Sequence, residues 1–216
     1  MNKAQLAAPE LAQVEIEADE MDRKSLIVKG ALAAGAVYGA VAVGPYLRRA
    51  IAQGGASEGD LAILNFALTL EYLEAAFYEQ ALSDLKPSGE LGDLVELISS
   101  DENEHVDALT ASITDLGGKP VKAPGVDFGE AFASEDSFLE LAQTFEDTGV
   151  SAYNGAAPDI ESKDILATAG GIVQIEARHA AAIRLQRGEL PSPAAFDETL
   201  TQDEVLKAVM PFITSS

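Results

Sequence analysis

The strongest constraint on this chain is an interruption that occurs in each of four helical segments. Each segment has apolar residues spaced by three and four, which is the pattern of an amphipathic helix with one buried stripe. In each segment a polar side chain stands where the apolar stripe should continue. The interrupting residues are Glu71 in 58–85, Glu102 and His105 in 88–116, Glu146 in 134–156, and Glu176 and His179 in 162–187.

The lengths of the segments and of their connections predict an all-α fold. Two short turns join the first helix to the second and the third to the fourth, and a link of 17 residues, 117–133, joins the second to the third. This arrangement predicts a four-helix bundle of two antiparallel hairpins with a crossover link. A short C-terminal helix is expected from Thr201, because Thr201 and Glu204 have the spacing of a capping box. No strand pattern of comparable strength occurs.

The two hairpins repeat the same polar residues at nearly the same spacing. Glu71 and Glu102 are 31 residues apart, and Glu146 and Glu176 are 30 apart. A tyrosine, Tyr78 or Tyr153, follows the first Glu of each hairpin by seven residues, and a histidine follows the second Glu by three. The hairpins therefore resemble a duplicated unit, in which each tyrosine packs in the core and hydrogen-bonds a carboxylate of the same cluster.

Four carboxylates on buried stripes require a compensating charge, because an unpaired ionised group is costly in an apolar interior. Two divalent cations would supply it. Residues i and i+3 share a helix face, so Glu102 with His105, and Glu176 with His179, can each chelate one ion, while Glu71 and Glu146 complete or bridge the site. The alternatives are glutamates that extend to solvent and core histidines without metal.

Composition excludes several other classes of site. The chain has no Cys, so disulfides, iron–sulfur clusters and thiolate zinc sites are ruled out. Its net charge of −22 disfavours nucleic acid as a partner and favours cations. Glu74, Glu79 and Glu104 lie off the interrupted stripes and are predicted to be solvated surface residues.

Residues 1–57 form a separate unit, which is predicted to be an export leader or a membrane anchor. They have six basic and six acidic residues, so residues 58–216 account for the whole net charge. Arg23 and Lys24 precede an uncharged run, 30–47, in which ten of 18 residues are Ala or Gly. The segment resembles a twin-arginine (Tat) leader, with 50–52 as a cleavage candidate and membrane contact through 25–47. The other alternative is an apolar helix docked elsewhere.

Motifs in both helices of the first hairpin, and in the C-terminal stretch, resemble those of known protein families. The pattern Leu64-Asn65-x-x-Leu68-x-x-Glu71 with Tyr78 resembles the first helix of bacterioferritins, and Glu102-x-x-His105, running on to Gly117-Gly118-x-Pro120, resembles their second. The stretch 196–213 is closer to exported ferritin-like proteins of the desiccation-related group. The resemblance covers about residues 58–214. It implies a ferritin-like bundle in which the six interrupting residues bind two Fe ions, or alternatively two Mn ions.

Two functions of different classes follow from this resemblance. The first is a di-iron or di-manganese oxidoreductase that oxidises its metal pair with O₂ or peroxide, with ferroxidase, peroxidase and catalase outcomes left open. The second is a non-enzymatic stress or envelope protein whose metal site is structural or vestigial. An iron-storage subunit is disfavoured, because a membrane-directed N-terminal segment would obstruct a closed shell. Homo-oligomerisation stays open.

Overall fold

A computed structural model describes residues 56–214 of the chain. The leader predicted for 1–57 lies outside this range, apart from its last two residues. The described helices are α1 (Glu58–Gln80), which continues as a π-helical turn (Ala81–Leu85), α2 (Gly89–Asp115), α3 (Glu135–Ala156), α4 (Lys163–Gln186) and a short α5 (Gln202–Val209). The all-α prediction, including the C-terminal helix, is therefore confirmed.

Hydroxyl side chains fix the starts of three of the bundle helices. Ser57 accepts a hydrogen bond from the backbone N–H of Asp60 at the start of α1, and Ser134 and Ser162 do the same at the starts of α3 and α4. Gly117, with φ +83°, terminates α2 in the left-handed conformation that glycine tolerates best. These local signals account for helix boundaries close to the expected ones.

Helices α1 and α2 pack together as one hairpin, and α3 and α4 as the other. Asp60 joins the two hairpins at one end of the bundle. It is 1% exposed, and its carboxylate accepts the backbone N–H of Glu161 at 2.8 Å and of Ser162 at 3.1 Å, in the turn before α4. A buried carboxylate with two such bonds holds the end of one hairpin against the other.

The crossover link is anchored by the C-terminus. Its residues β1 (Gly125–Val126) pair antiparallel with β2 (Ile213–Thr214) near the chain end. Strands of two residues are too short to produce an alternating sequence pattern, so this pairing has no signal in the sequence. The link and the C-terminus also contribute Phe128 and Phe212 to the aromatic cluster at this end of the bundle.

Two apolar clusters lie at the two ends of the bundle, and the polar residues of the interrupted stripes lie between them along the helices. One cluster is centred on Phe77, whose ring centroid is 5.2 Å from that of Phe138 and 5.0 Å from that of Phe145. The other includes Leu68, Ile113 and residues of α4. The polar layer is thus enclosed above and below by core packing.

Candidate metal centre

All four bundle helices contribute to one buried polar cluster at the middle of the bundle. The side chains of Glu71, Glu102, Glu146 and Glu176 are completely buried, and those of the two histidines nearly so. The structure therefore brings together all six residues singled out by the interrupted stripes. Their assignment as metal ligands stays a prediction at this point, while their convergence is a property of the fold.

The first group of converging atoms surrounds His105. Its Nδ1 lies 3.1 Å from Glu71 Oε2, 3.3 Å from Glu102 Oε2 and 3.0 Å from Glu176 Oε1. One donor atom from each of these four residues lies within 4.8 Å of the other three. Such spacing allows all four residues to approach a single ion.

The second group surrounds His179. Its Nδ1 lies 2.9 Å from Glu102 Oε1 and 3.6 Å from Glu146 Oε2. Donor atoms of Glu102, Glu146, Glu176 and His179 again lie within 4.8 Å of one another. Glu102 and Glu176 therefore belong to both groups. Helical spacing left Glu71 and Glu146 as possible bridges, but in the structure these two residues each belong to one group only.

Several donor atoms of the cluster have no hydrogen-bond partner in the part of the chain that the structure describes. These atoms are Glu102 Oε1, Glu146 Oε2, both side-chain oxygens of Glu176, and His179 Nδ1. The short distances between histidine nitrogens and carboxylate oxygens given above are ion-pair contacts that, at these atoms, lack hydrogen-bond geometry. Buried polar atoms left in this state each cost about 1–3 kcal/mol. A set of carboxylate oxygens and imidazole nitrogens suits Fe and Mn, so the residues present fit a metal pair.

Two tyrosines reach from one hairpin to the other and hydrogen-bond the carboxylates that belong to one donor group only, which we call the outer carboxylates, Glu71 and Glu146. The hydroxyl of Tyr78 on α1 donates to Glu146 Oε1 on α3, and the hydroxyl of Tyr153 on α3 donates to Glu71 Oε1 on α1. The exchange is reciprocal, as the sequence repeat would produce. Each hydrogen bond leaves the second oxygen of its glutamate facing the cluster.

Asp101 is a contributor that the sequence reasoning missed. Its Oδ2 lies 3.1 Å from His179 Nε2, on the side of the ring away from the cluster. A carboxylate in this position fixes the orientation of an imidazole whose other nitrogen faces a metal. The available signal was its place directly before Glu102. Ile175 holds the equivalent place before Glu176, so the second unit has no such carboxylate.

Glu74 corrects the sequence analysis, which predicted it to be a solvated surface residue. Its side chain is 4% exposed, whereas Glu79 and Glu104 are exposed as predicted. The physical reason is its position three residues after Glu71, since such a pair lies on one helix face. The buried cluster therefore contains five carboxylates, although the apolar stripes predicted four.

Burial raises the pKa of most of these carboxyl groups. It raises the pKa of Glu71 to about 7, against the lowering effect of the neighbouring His105. Burial likewise raises the pKa values of Glu74, Glu146 and Glu176 above their ordinary range. When no cation compensates their charge, these groups therefore bind protons more readily than a solvated glutamate does.

The pKa values of Glu102 and of the two histidines shift in the directions that favour their charged forms, as expected for ion-paired groups. Burial alone would raise the pKa of Glu102, but the close approach and the positive charge of both histidines hold that pKa below its ordinary value. Burial alone would lower the histidine pKa values. The surrounding carboxylates overcome that effect, so the pKa values of His105 and His179 lie well above the ordinary 6.5. Binding of cations to the metal-free cluster would therefore release protons from it.

Comparison with known proteins agrees with this architecture. A family model described as a ferritin-like domain matches residues 59–189. The match spans α1 to α4 and includes every residue of the buried cluster. No curated protein matches the sequence.

Proposed function

Because the chain belongs to the ferritin-like domain family, we propose that its bundle binds two iron or manganese ions and oxidises them with dioxygen or peroxide. The observation that supports this most strongly is the pair of donor groups that share Glu102 and Glu176. Two adjacent groups with two common carboxylates suit two neighbouring ions. A single ion held by the first group would leave Glu146 and His179 unused.

Each ion would have one histidine and one outer carboxylate of its own. Glu71 and His105 would hold the first ion, and Glu146 and His179 the second, with Glu102 and Glu176 shared. Two divalent ions bring four positive charges, which balance the four ionised carboxylates. This compensation is what allows so many acidic groups to remain in one apolar core.

When bound, such a pair supplies two closely spaced one-electron donors to an oxidant. The surrounding residues hold the ligands in place. Tyr78 and Tyr153 fix one oxygen each of Glu146 and Glu71. With an ion bound, Asp101 would accept the Nε2–H of His179, which would leave the Nδ1 lone pair for the ion. The apolar clusters at both ends of the bundle limit the access of water.

An apolar cavity beside Tyr153 supports dioxygen as one of the oxidants. It has a volume of about 20 Å³ and lies among side chains that include Ala67, Leu70 and Ala152. A cavity of this size and lining favours a small apolar molecule over a group that requires hydrogen bonds. Tyr153 separates it from Glu71, to which the tyrosine hydroxyl donates.

The test is oxidation of the loaded protein. Anaerobic Fe(II) protein exposed to O₂ or H₂O₂ should develop ferric absorbance in the near ultraviolet, and Glu176→Ala, which removes a shared carboxylate, should slow or abolish this change. Glu104→Ala is the matched control, because it makes the same substitution at an exposed glutamate of the bundle. Iron that binds stoichiometrically and keeps its oxidation state would instead favour the non-enzymatic alternative.

We also propose that the bundle functions outside the cytoplasmic membrane. The support is the leader-like sequence of residues 1–57, and Ser57 already caps α1, so the bundle has a defined start after this segment. The bundle should be open to protease in spheroplasts and protected in intact cells. Protection in both would contradict export.

A chain beginning at Ser57 should still fold and bind metal, and an insoluble product would assign the N-terminal segment to the fold.

A further inference from the structure

Glu74 is the buried acidic group that the six-residue site leaves unused. It lies on α1 three residues after Glu71, and its side chain is 4% exposed. Among the residues that the structure describes, no hydrogen-bond donor or cationic side chain is paired with its carboxylate. A buried carboxylate without a partner is costly, so its presence here requires a compensating group.

Gly149 on α3 provides the space that Glu74 occupies. A Cβ added at Gly149 would lie 3.1 Å from Glu74 Oε1 and 3.4 Å from Glu176 Oε2. Both oxygens therefore lie over the same bare position of α3. Gly149 follows Glu146 by three residues, as Glu74 follows Glu71, so one repeat unit has the carboxylate and the other has the gap that accommodates it.

We propose that Glu74 is a seventh ligand of the metal pair, binding beside Glu176. The inference rests on the proposed di-metal function. Its geometric basis is the pairing of the buried carboxylates of Glu74 and Glu176 at Gly149. Neither side-chain oxygen of Glu176 makes a hydrogen bond of good geometry, although its Oε1 lies 3.0 Å from His105 Nδ1. Glu74 belongs to neither group of converging donors, so binding an ion beside Glu176 requires its side chain to turn toward that residue.

The fifth carboxylate also changes the charge of the centre. Four carboxylates balance two divalent ions, but they leave two positive charges uncompensated when both ions become trivalent. Glu74 reduces that excess to one. Because only one repeat unit has this carboxylate, the two ions should be inequivalent, with different affinities.

The experiment is an anaerobic Mn(II) titration of the full-length chain, in which electron paramagnetic resonance measures free Mn(II). The wild-type chain should bind two ions. Glu74→Gln keeps the shape of the side chain. It should lower the affinity for one of the two Mn(II) ions by roughly tenfold or more, while the affinity for the other changes little. Glu104→Gln, an exposed position, should bind like the wild type.

Gly149→Ala provides an independent variant, because its new methyl group would lie 3.1 Å from Glu74 Oε1 and would push that carboxylate away from its place beside Glu176. It should weaken Mn(II) binding in the same direction as Glu74→Gln. Both variants should also alter the visible absorption of the Co(II)-loaded protein, which reports the ligands of the ion directly. A change in folding alone would not produce that difference at equal Co(II) occupancy.

The outcomes separate the two proposals. Two Mn(II) ions bound with wild-type affinities and an unchanged Co(II) spectrum in Glu74→Gln would overturn the seventh-ligand assignment and leave the di-metal centre standing. A wild-type chain that binds no Mn(II), Fe(II) or Co(II) would overturn both. Selective weakening of one ion in Glu74→Gln supports the assignment.

Discussion

Without metal, the bundle should become more stable as the pH falls from neutral to mildly acidic values. A carboxyl group whose pKa is higher in the folded chain than in the unfolded chain penalises folding when it is ionised. The penalty shrinks as the pH falls below the folded-state pKa and is gone below the unfolded-state pKa. Glu71, with its pKa raised by burial to about 7, is in this state, and Glu74, Glu146 and Glu176 shift in the same direction. The metal-free protein should therefore gain stability on mild acidification.

The magnitude follows from the pKa of Glu71. A rise from 4.5 to about 7 means that the folded chain holds nearly one more proton than the unfolded chain between these values. Integrated from pH 7.5 to pH 5.5, this difference adds about 2 kcal/mol to the free energy of unfolding. For a bundle of this size the gain corresponds to a rise of about 4–8 °C in Tm.

The histidines act in the same direction. The stability that their raised pKa values contribute is fully present below the unfolded value of 6.5 and is lost as the pH rises through the folded pKa. The lowered pKa of Glu102 has the opposite effect, but only below its unfolded value of 4.5, which lies beneath this window. The histidines and Glu71 therefore change the free energy of unfolding in the same direction between pH 7.5 and pH 5.5.

The assay is thermal unfolding of chelated protein between pH 7.5 and pH 5.5, followed by circular dichroism. Glu71→Gln should lose about 2 kcal/mol of the pH dependence, and the exposed Glu104→Gln should retain all of it. Metal-loaded protein should show a much flatter profile, since its carboxylates are bound to the ions. A metal-free Tm that is flat or falls on acidification would refute the reasoning.

Three further predictions concern binding and stability. Metal uptake should release protons, so the Mn(II) affinity measured by calorimetry should rise between pH 5.5 and pH 7.5. A pH-independent affinity would mean that the metal-free cluster does not bind these protons. Asp101→Asn should weaken Mn(II) binding by roughly 10–100-fold while leaving the Tm of metal-free protein close to that of the wild type. Asp60→Ala removes two buried bonds to the backbone N–H groups of Glu161 and Ser162, so it should lower the free energy of unfolding by about 3 kcal/mol in chemical denaturation. An unchanged denaturation midpoint would mean that Asp60 does not hold the hairpins together.

The convergence of the cluster could be predicted because it depends on helix periodicity alone. Glu71 and Glu146 interrupt long apolar stripes, and a residue on the buried stripe of a four-helix bundle must face the other three helices. The i, i+3 spacing likewise places each histidine beside its glutamate. Nothing beyond the repeat of 3.6 residues per turn is needed for this step.

Features that depend on the distance between helices could not be predicted in this way. Glu102 and Glu176 are common to both donor groups because of how closely α2 and α4 approach, which no periodicity encodes. Glu74 seemed to lie off the stripe, and its burial depends on the missing side chain of Gly149 in another helix. Asp101 contacts a histidine on α4 across the bundle, a contact that single-helix reasoning does not reach.

The most direct test of the central claim is anomalous X-ray diffraction from crystals of the full-length chain loaded with Mn(II). Two anomalous peaks are expected in the middle of the bundle, both bordered by Glu102 and Glu176, with His105 at one peak and His179 at the other. No peak in the bundle, or peaks confined to the acidic surface, would contradict it.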